Sequence, residues 1–392
     1  MIPRLAQVEP AQGRYLAFLE TLGQQGFQGE IRSDYGTRLV QSTDNSIYQI
    51  LPQAAVFPIN KSDLKILLKL AAHEKYRDIR FAPRGGGTGT NGQSLTDGII
   101  IDCSRHMNDI RELNLEQGWV KVGPGVVLDQ LNDFLRPHGV FFAPNLSPSS
   151  RATLGGMINT DACGKGSRVY GRTSDHLLEL SCLLSNGEEL HSVPLNPKEL
   201  TDWKEASGRT RDIYRVVDEI VCRQAELIEE VFPKMSRFMT GYNLARVYSN
   251  DQRPIFNLNY LLAGSEGTLA VVHEAKLRLT PLPAFQELIV VKYESFDDAL
   301  RAAGILVQSD PTAIETVDEK ILGLAREDEI YHKVKDFVAD EGSRPTRTIN
   351  LVEFSGNEKS VVSAKVDQLA KIIHERKEIS GDATGFYRTD IP

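Results

Sequence analysis

The stretch Pro83-Arg84-Gly85-Gly86-Gly87-Thr88-Gly89-Thr90-Asn91-Gly92 constrains the fold of this chain more than any other. Glycine gives up more backbone entropy on folding than any other residue, so a run of them answers a structural need. That need is a positive φ or a close backbone approach, and successive amide N–H groups in such a bend converge on an anion. A pyrophosphate suits that concavity; a flexible surface loop is the other reading of the run taken alone. Residues 87–92 also fit the pattern G-x-G-x-x-G. A dinucleotide fingerprint, however, opens a helix and is followed about 20 residues later by an acid for the ribose. Here the Asp97-Gly98 turn and a strand-like run over 99–102 come next, and Asp109 sits within His106-Met107-Asn108-Asp109, not at the tip of a second parallel strand. The nicotinamide-type Rossmann reading is set aside.

Periodicity lays out the elements. Residues 10–28 carry Tyr15, Leu16, Phe18, Leu19 and Leu22 at helical spacing, and the chain is then polar as far as Tyr48. A strand over 54–58 precedes a helix capped by Ser62, with Leu64, Ile66, Leu67, Leu70 and Ala71 on its apolar side. A second strand, 78–82, runs straight into the glycines. Residues 119–122 form a further strand, Gly123-Pro124-Gly125 turns into a helix over 127–135, and strand 177–184 ends at Asn186-Gly187, a strong hairpin signal. Residues 270–279 alternate in part between apolar and polar, and Thr280-Pro281-Leu282-Pro283 closes them. Beyond Pro283 the order is strand 288–293, helix 296–307, strand 348–354, helix 361–378 and strand 386–389, as in a split βαβ unit. The expected division is a helical extension over 1–48, a cofactor-binding domain over 49–283 and a second α+β domain over 284–392. That last domain reaches Pro392 without a closing element and reads as truncated.

Composition narrows the class. A net charge of −8 with pI ≈ 5.6 argues against a nucleic-acid surface. The four cysteines Cys103, Cys163, Cys182 and Cys222 form no CxxC pair, which excludes a zinc or iron–sulfur reading here and leaves buried free thiols in a reducing cytosol. Pro3, Arg4 and Glu9 break any secretory leader, and no stretch reaches the roughly 18 apolar residues of a membrane span. The expected location is cytoplasmic.

Three segments taken together resemble the FAD-binding domain of the vanillyl-alcohol oxidase and p-cresol methylhydroxylase family. Residues 83–89 resemble its pyrophosphate loop. Arg151-Ala152-Thr153-Leu154-Gly155-Gly156-Met157-Ile158-Asn159-Thr160-Asp161-Ala162, with Tyr170-Gly171 beyond, resembles its ATxGG…TNAxG…YG segment, and Gly264-Ser265-Glu266-Gly267-Thr268-Leu269-Ala270-Val271-Val272 its GSEGTLGxVT segment. Asp161 departs from the family's usual asparagine, and Ala270 from its glycine. Singly these pieces also read as tight packing or a turn before a strand; it is their occurrence in order that carries the likeness. The resemblance implies an α+β, two-subdomain FAD-binding fold followed by an incomplete ferredoxin-like cap. It implies cofactor contacts at Pro83, Arg84, Gly85, Gly86, Gly87, Thr88, Gly89 and Thr90, at Pro148, Ser149, Thr153, Gly155, Gly156, Thr160, Asp161 and Ala162, and at Glu266, Gly267, Thr268 and Val272. Some members tether the flavin through a histidine near the glycine loop. This loop has none nearer than His73 and His106, so noncovalent FAD is expected.

Over the longer stretch the chain is most similar to the D-2-hydroxy-acid dehydrogenases, through Ser42-Thr43-Asp44-Asn45-Ser46, Thr240-Gly241-Tyr242-Asn243 and Glu315-Thr316-Val317-Asp318 as well. It looks closest to bacterial enzymes that fuse this unit to an iron–sulfur module and oxidise D-2-hydroxyglutarate. The resemblance implies a 2-hydroxy-acid substrate and an electron acceptor. It places the 4Fe-4S cluster, a divalent metal and the substrate cations downstream of Pro392, so no catalytic or metal residue is named within the chain. A D-lactate or glycolate dehydrogenase of the same fold is the alternative, and a non-catalytic flavin-binding subunit is another. The eight histidines are scattered and read as surface or capping residues, His273 being the one beside a flavin segment. Arg84 and Arg168 read either as anion-facing or as solvated. Tyr242-Asn243 reads either as facing the flavin or as a helix cap, Trp119 as strand core, and the charge runs 326–329 and 375–378 as solvated helix faces.

Overall fold

The structure is a computed structural model that describes residues 10–205, 207–235, 237–238, 241–249, 254–329, 331–340, 343–375, 383 and 385–391. Pro3, Arg4, Glu9, Thr240, Pro392 and the end of the 361–378 helix lie outside the described residues, as do the side chains of 375–378. The chain forms two units, one of Met1–Cys163 with Arg172–Thr280, the other of Gly164–Gly171 with Pro281–Pro392.

In the first unit the strands in chain order are β1 (Glu30–Arg32), β2 (Ala54–Phe57), β3 (Phe81–Arg84), β4 (Ile99–Asp102), β5 (Ile110–Asn114) and β6 (Trp119–Val122). They are followed by β7 (Val140–Phe141), β8 (Leu177–Leu183), β9 (Glu189–Ser192), β10 (Val271–Arg278) and β11 (Thr280–Pro281). The first sheet has the order β1-β2-β4-β3, with β4 parallel to both its neighbours. Strands β2 and β4 are buried throughout and read as unbroken apolar runs, as central parallel strands do. The helix Lys61–Ala71 covers this sheet with Leu64, Leu67, Leu68 and Leu70, beside Tyr15, Phe18, Leu19 and Leu22 from the helix Gly13–Gln24. Each such fully buried leucine contributes about 1.5–3 kcal/mol. The cap of the Lys61–Ala71 helix is Asn60, not Ser62: the Asn60 side chain accepts from the Asp63 amide, which leaves Ser62 inside the first turn. Residues 30–40, expected to be part of a polar extension, instead supply β1, antiparallel to β2, and the short helix Tyr35–Val40.

The second sheet, β5-β6-β10-β8-β9, is antiparallel. Its apolar face carries Val120, Val122, Leu180, Ala275 and Leu277, covered by Leu128, Leu131 and Leu135 of the helix Leu128–Leu135. Trp119 is buried in β6, as its position before Val120 suggested. β8 turns into β9 through Asn186-Gly187, where Gly187 takes φ +78. Helices Pro197–Glu205, Arg209–Arg223 and Ala225–Val231 follow.

The second unit holds β12 (Phe285–Tyr293), β13 (Ala313–Val317), β14 (Thr348–Gly356) and β15 (Gly385–Asp390), all antiparallel in the order β13-β14-β12-β15. Numbered within the unit this is 2-3-1-4, the ferredoxin-like arrangement expected from the split βαβ pattern. Both faces of the sheet are covered. Ile289, Val291 and Tyr293 face the helices Phe296–Leu306 and Lys359–Glu375, whereas Val290 on the opposite face meets Leu322 and Val338 from helices Glu319–Glu327 and Tyr331–Val338. Arg326 is not simply solvated, since its guanidinium donates to the carbonyls of Val338 and Thr346. Among the described residues, no helix is long and apolar enough to cross a membrane.

Candidate functional site

β3 delivers the chain into the glycine loop, and β4, not a helix, is the next regular element after it. The loop is held from outside by residues 42–46. The Asn45 amide donates to the Gly87 carbonyl (3.1 Å), Arg84 Nη2 donates to the Thr43 carbonyl (2.7 Å), and Ser94 Oγ donates to Asp44 Oδ2 (3.1 Å). Gly87 takes φ +63, a conformation that other residues rarely adopt. On the inner side the loop meets the second segment backbone to backbone. A Cβ on Gly85 would overlap Thr153 Oγ1, and one on Gly86 would overlap the Arg151 carbonyl oxygen.

The second segment is itself locally determined. Thr153 caps the helix Leu154–Asn159 by accepting from the Gly156 amide. The Gly155 amide donates to the Pro124 carbonyl (2.8 Å), and a Cβ at Gly155 would stand 2.7 Å from Pro124 Cβ. The third segment hangs on the second: Gly264 donates to Ile158 and Glu266 to Asn159, each at 2.9 Å. Gly267, at φ +74, then lies against Pro83 and so returns to the start of the glycine loop.

These segments enclose one cavity of about 350 Å³, within the range of small-molecule sites. Pro83, Arg84, Gly85, Gly86, Gly87, Thr88, Gly89, Thr90, Pro148, Thr153, Gly155, Gly156, Thr160, Ala162, Glu266, Gly267 and Val272 all line it. Ser149, Asp161 and Thr268 do not line it; their bonds are internal. The Ser149 amide donates to Leu146, the Asp161 carboxylate accepts from the Ser174 amide (2.8 Å), and Thr268 Oγ1 donates to the Ser265 carbonyl (2.6 Å). Sequence reasoning missed Pro124, Met157, Asn159, Cys163 and Arg237 on the cavity wall. Pro124 had a signal in its Gly-Pro-Gly turn, whereas Arg237 had none.

The electrostatics of the wall are uneven. Burial works against the charge on Arg84, while Asp102 and Asp44 favour it. Glu266, held at φ +52, has its carboxyl pushed up to about 7 by burial. Burial also raises the Cys163 thiol, against the pull of Arg237. Cys163 is half-buried and Cys222 exposed, so the expectation of uniformly buried thiols holds only for Cys103 and Cys182. Arg168 is not among the residues that line the cavity and pairs with Asp310. Asn243 caps no helix through its side chain, which is buried with both amide atoms lacking partners among the described residues; Tyr242 shares a 2.6 Å hydrogen bond with Thr268. Of the histidines, His176 and His273 are buried rather than on the surface, and neither lines the cavity.

A cavity with a glycine-rich wall and an apolar wall suits a ligand that joins a diphosphate to a flat ring system. The amides of 85–90 donate to no carbonyl among the described residues, and Val271, Val272, Met157 and Leu146 supply apolar wall. Fold and site together define a two-subdomain flavin-binding protein with a ferredoxin-like second unit. Comparison with known proteins agrees: residues 52–192 match the FAD binding domain, and residues 282–384 match the C-terminal domain of FAD linked oxidases. The chain is 51% identical over 385 residues to a D-2-hydroxyglutarate dehydrogenase of Pseudomonas putida, covering 98% of this chain and 38% of that protein. A D-2-hydroxyglutarate dehydrogenase of Escherichia coli is 49% identical over 376 residues, 96% of this chain and 37% of the relative. The chain thus spans well under half the length of these relatives. A solved alkyldihydroxyacetonephosphate synthase has the same fold, with TM-score 0.65 at 18% identity over 98% of this chain and 64% of that one. The chain belongs to the FAD-linked oxidases of the vanillyl-alcohol oxidase and p-cresol methylhydroxylase type.

Proposed function

We propose that this chain holds FAD noncovalently for an enzyme that oxidises a D-2-hydroxy acid, D-2-hydroxyglutarate in the first place, to the 2-oxo acid. The observation that carries the reading is the convergence of three separate segments on one glycine-walled cavity. The 51% identity to a D-2-hydroxyglutarate dehydrogenase supplies the substrate class. Bound FAD would supply a hydride acceptor at its N5. The chain's own part is to bind and orient: the amides of the glycine loop would hold the diphosphate, with Thr153 and Gly156 lining the wall beside them. Val271 and Val272 on the apolar wall would shield the ring from water. Among the described residues no histidine lines the cavity, which supports a noncovalent cofactor. The four cysteines, all free thiols, support a reducing, cytoplasmic setting. Electrons would pass on to an acceptor outside this cavity.

The test is the absorption spectrum of the purified chain, where bands near roughly 370 and 450 nm mark oxidised flavin. Acid denaturation should release the colour into the supernatant. A folded chain that stays colourless with added FAD ends the flavin reading, and bleaching by D-lactate in preference to D-2-hydroxyglutarate ends the substrate assignment.

A further inference from the structure

Arg237 is a charged group on the cavity wall that the binding of FAD, as read above, does not use. It shares the wall with Cys163, whose thiol its charge pulls down against the effect of burial. It forms no ion pair among the described residues, although the chain around it is rich in them. Arg84, the other arginine on the wall, is by contrast tied to the Thr43 carbonyl and to Ser94.

The glycine loop packs on Arg151 and Thr153, at the N-terminal end of the helix Leu154–Asn159. Cys163 follows the C-terminal end of that helix. At about 1.5 Å of rise per residue the helix alone sets the two ends roughly 9 Å apart. Arg237, on the wall with Cys163, is thereby associated with the C-terminal end of that helix, whereas the glycine loop packs on its N-terminal end. The chain next to Arg237 is anchored by a buried group: Arg172 Nη1 donates to the Phe238 carbonyl (3.0 Å), and its guanidinium lies 4.9 Å from the Phe238 ring.

A guanidinium with no ion pair among the described residues, on the wall of a partly apolar cavity, is a site for a planar anion, since its fork matches a carboxylate with two parallel N–H···O bonds. We propose that Arg237 holds a carboxylate of the 2-hydroxy-acid substrate on the stretch of cavity wall that it shares with Cys163. The inference rests on the flavin and hydroxy-acid reading above and assigns a substrate contact within this chain.

The experiment uses the FAD-loaded chain and 2-oxoglutarate as a non-reducing probe, with affinity read by calorimetry. Arg237→Gln should weaken 2-oxoglutarate binding about tenfold or more, the loss of a charge-assisted bond, while FAD affinity stays within about twofold. Arg237→Lys, which keeps the charge but not the fork, should fall between the two. The proposal is overturned if 2-oxoglutarate binds Arg237→Gln as it binds the parent, or if FAD affinity falls in parallel. It is also overturned if the FAD-loaded parent chain binds no 2-oxoglutarate. A parent chain that takes up no FAD sinks the flavin reading and this proposal with it. If the probe binds through Arg237 but D-lactate displaces it as well as D-2-hydroxyglutarate does, the carboxylate site stands and the D-2-hydroxyglutarate assignment fails.

Discussion

Gly86 packs against Arg151 so closely that a Cβ built on the glycine would overlap the arginine's carbonyl oxygen. Neither partner can yield without moving backbone, because Arg151 is itself in a turn closed by the Pro148 carbonyl (2.9 Å). Gly86→Ala should therefore push the glycine loop off the second segment, at about 1–3 kcal/mol for overpacking. Since loop and segment both line the cavity, FAD affinity should drop about tenfold or more. Fluorescence quenching of FAD measures it, and an unchanged affinity would show that this contact does not shape the site.

Asp161 sits at φ +46 and faces Arg172 at 3.3 Å, both side chains being almost fully withdrawn from water. Asparagine tolerates the left-handed conformation as well as aspartate does, so Asp161→Asn isolates the charge from the backbone. It leaves the buried Arg172 guanidinium without its carboxylate, held by the Phe238 carbonyl and ring and facing a neutral amide. Breaking a buried pair from one side costs about 3–5 kcal/mol. The retained amide oxygen makes the lower half of that range the expectation. Denaturant unfolding of Asp161→Asn, Arg172→Met and the double variant should show coupling; additive losses would mean the pair contributes nothing as a pair.

The glycine loop was legible because its composition is costly and has few uses. The Asn186-Gly187 hairpin was legible because its turn chemistry is local. Burial at His273 was not: a bulge between Val272 and Glu274 breaks the strand's alternation, so Val271, Val272 and His273 are all buried in sequence. β13 was overlooked because it is short, begins soon after Pro311 and is only partly buried. The helices over 197–231 escaped notice although Tyr214, Val217 and Val221 carry helical spacing. Arg237 belongs to another class, since only the tertiary fold brings residue 237 beside residue 163.

Glu266 gives the cavity a pH dependence whose sign is fixed. Burial raises its carboxyl from the ordinary 4.5 to about 7, so the folded state favours the protonated form. The associated stability is fully present below about pH 4.5 and is lost as the pH rises through about 7. Glu266→Gln, which cannot ionise, should melt at a temperature closer to the parent's in mild acid and above it in mild alkali. Thermal melts across that window check this; a difference that does not grow with pH would show that the carboxyl ionises freely in the folded chain.

His273 has the opposite slope. Its ring lies buried in β10, Nε2 has no partner among the described residues, and burial holds its pKa down at about 4 against an ordinary 6.5. Lys61 and Arg111 nearby add to the depression, while Glu274 and Glu189 oppose it. Below pH 6.5 the unfolded chain takes up a proton that the folded chain refuses, so stability present above 6.5 is lost as the pH falls toward 4. His273→Leu removes the proton site and keeps an apolar side chain. Near pH 5 it should therefore recover about 2 kcal/mol relative to its effect in mild alkali, read as the difference between denaturation midpoints of variant and parent at the two pH values. Equal differences at both would mean that the ring titrates normally, and that burial in this strand does not hold it neutral.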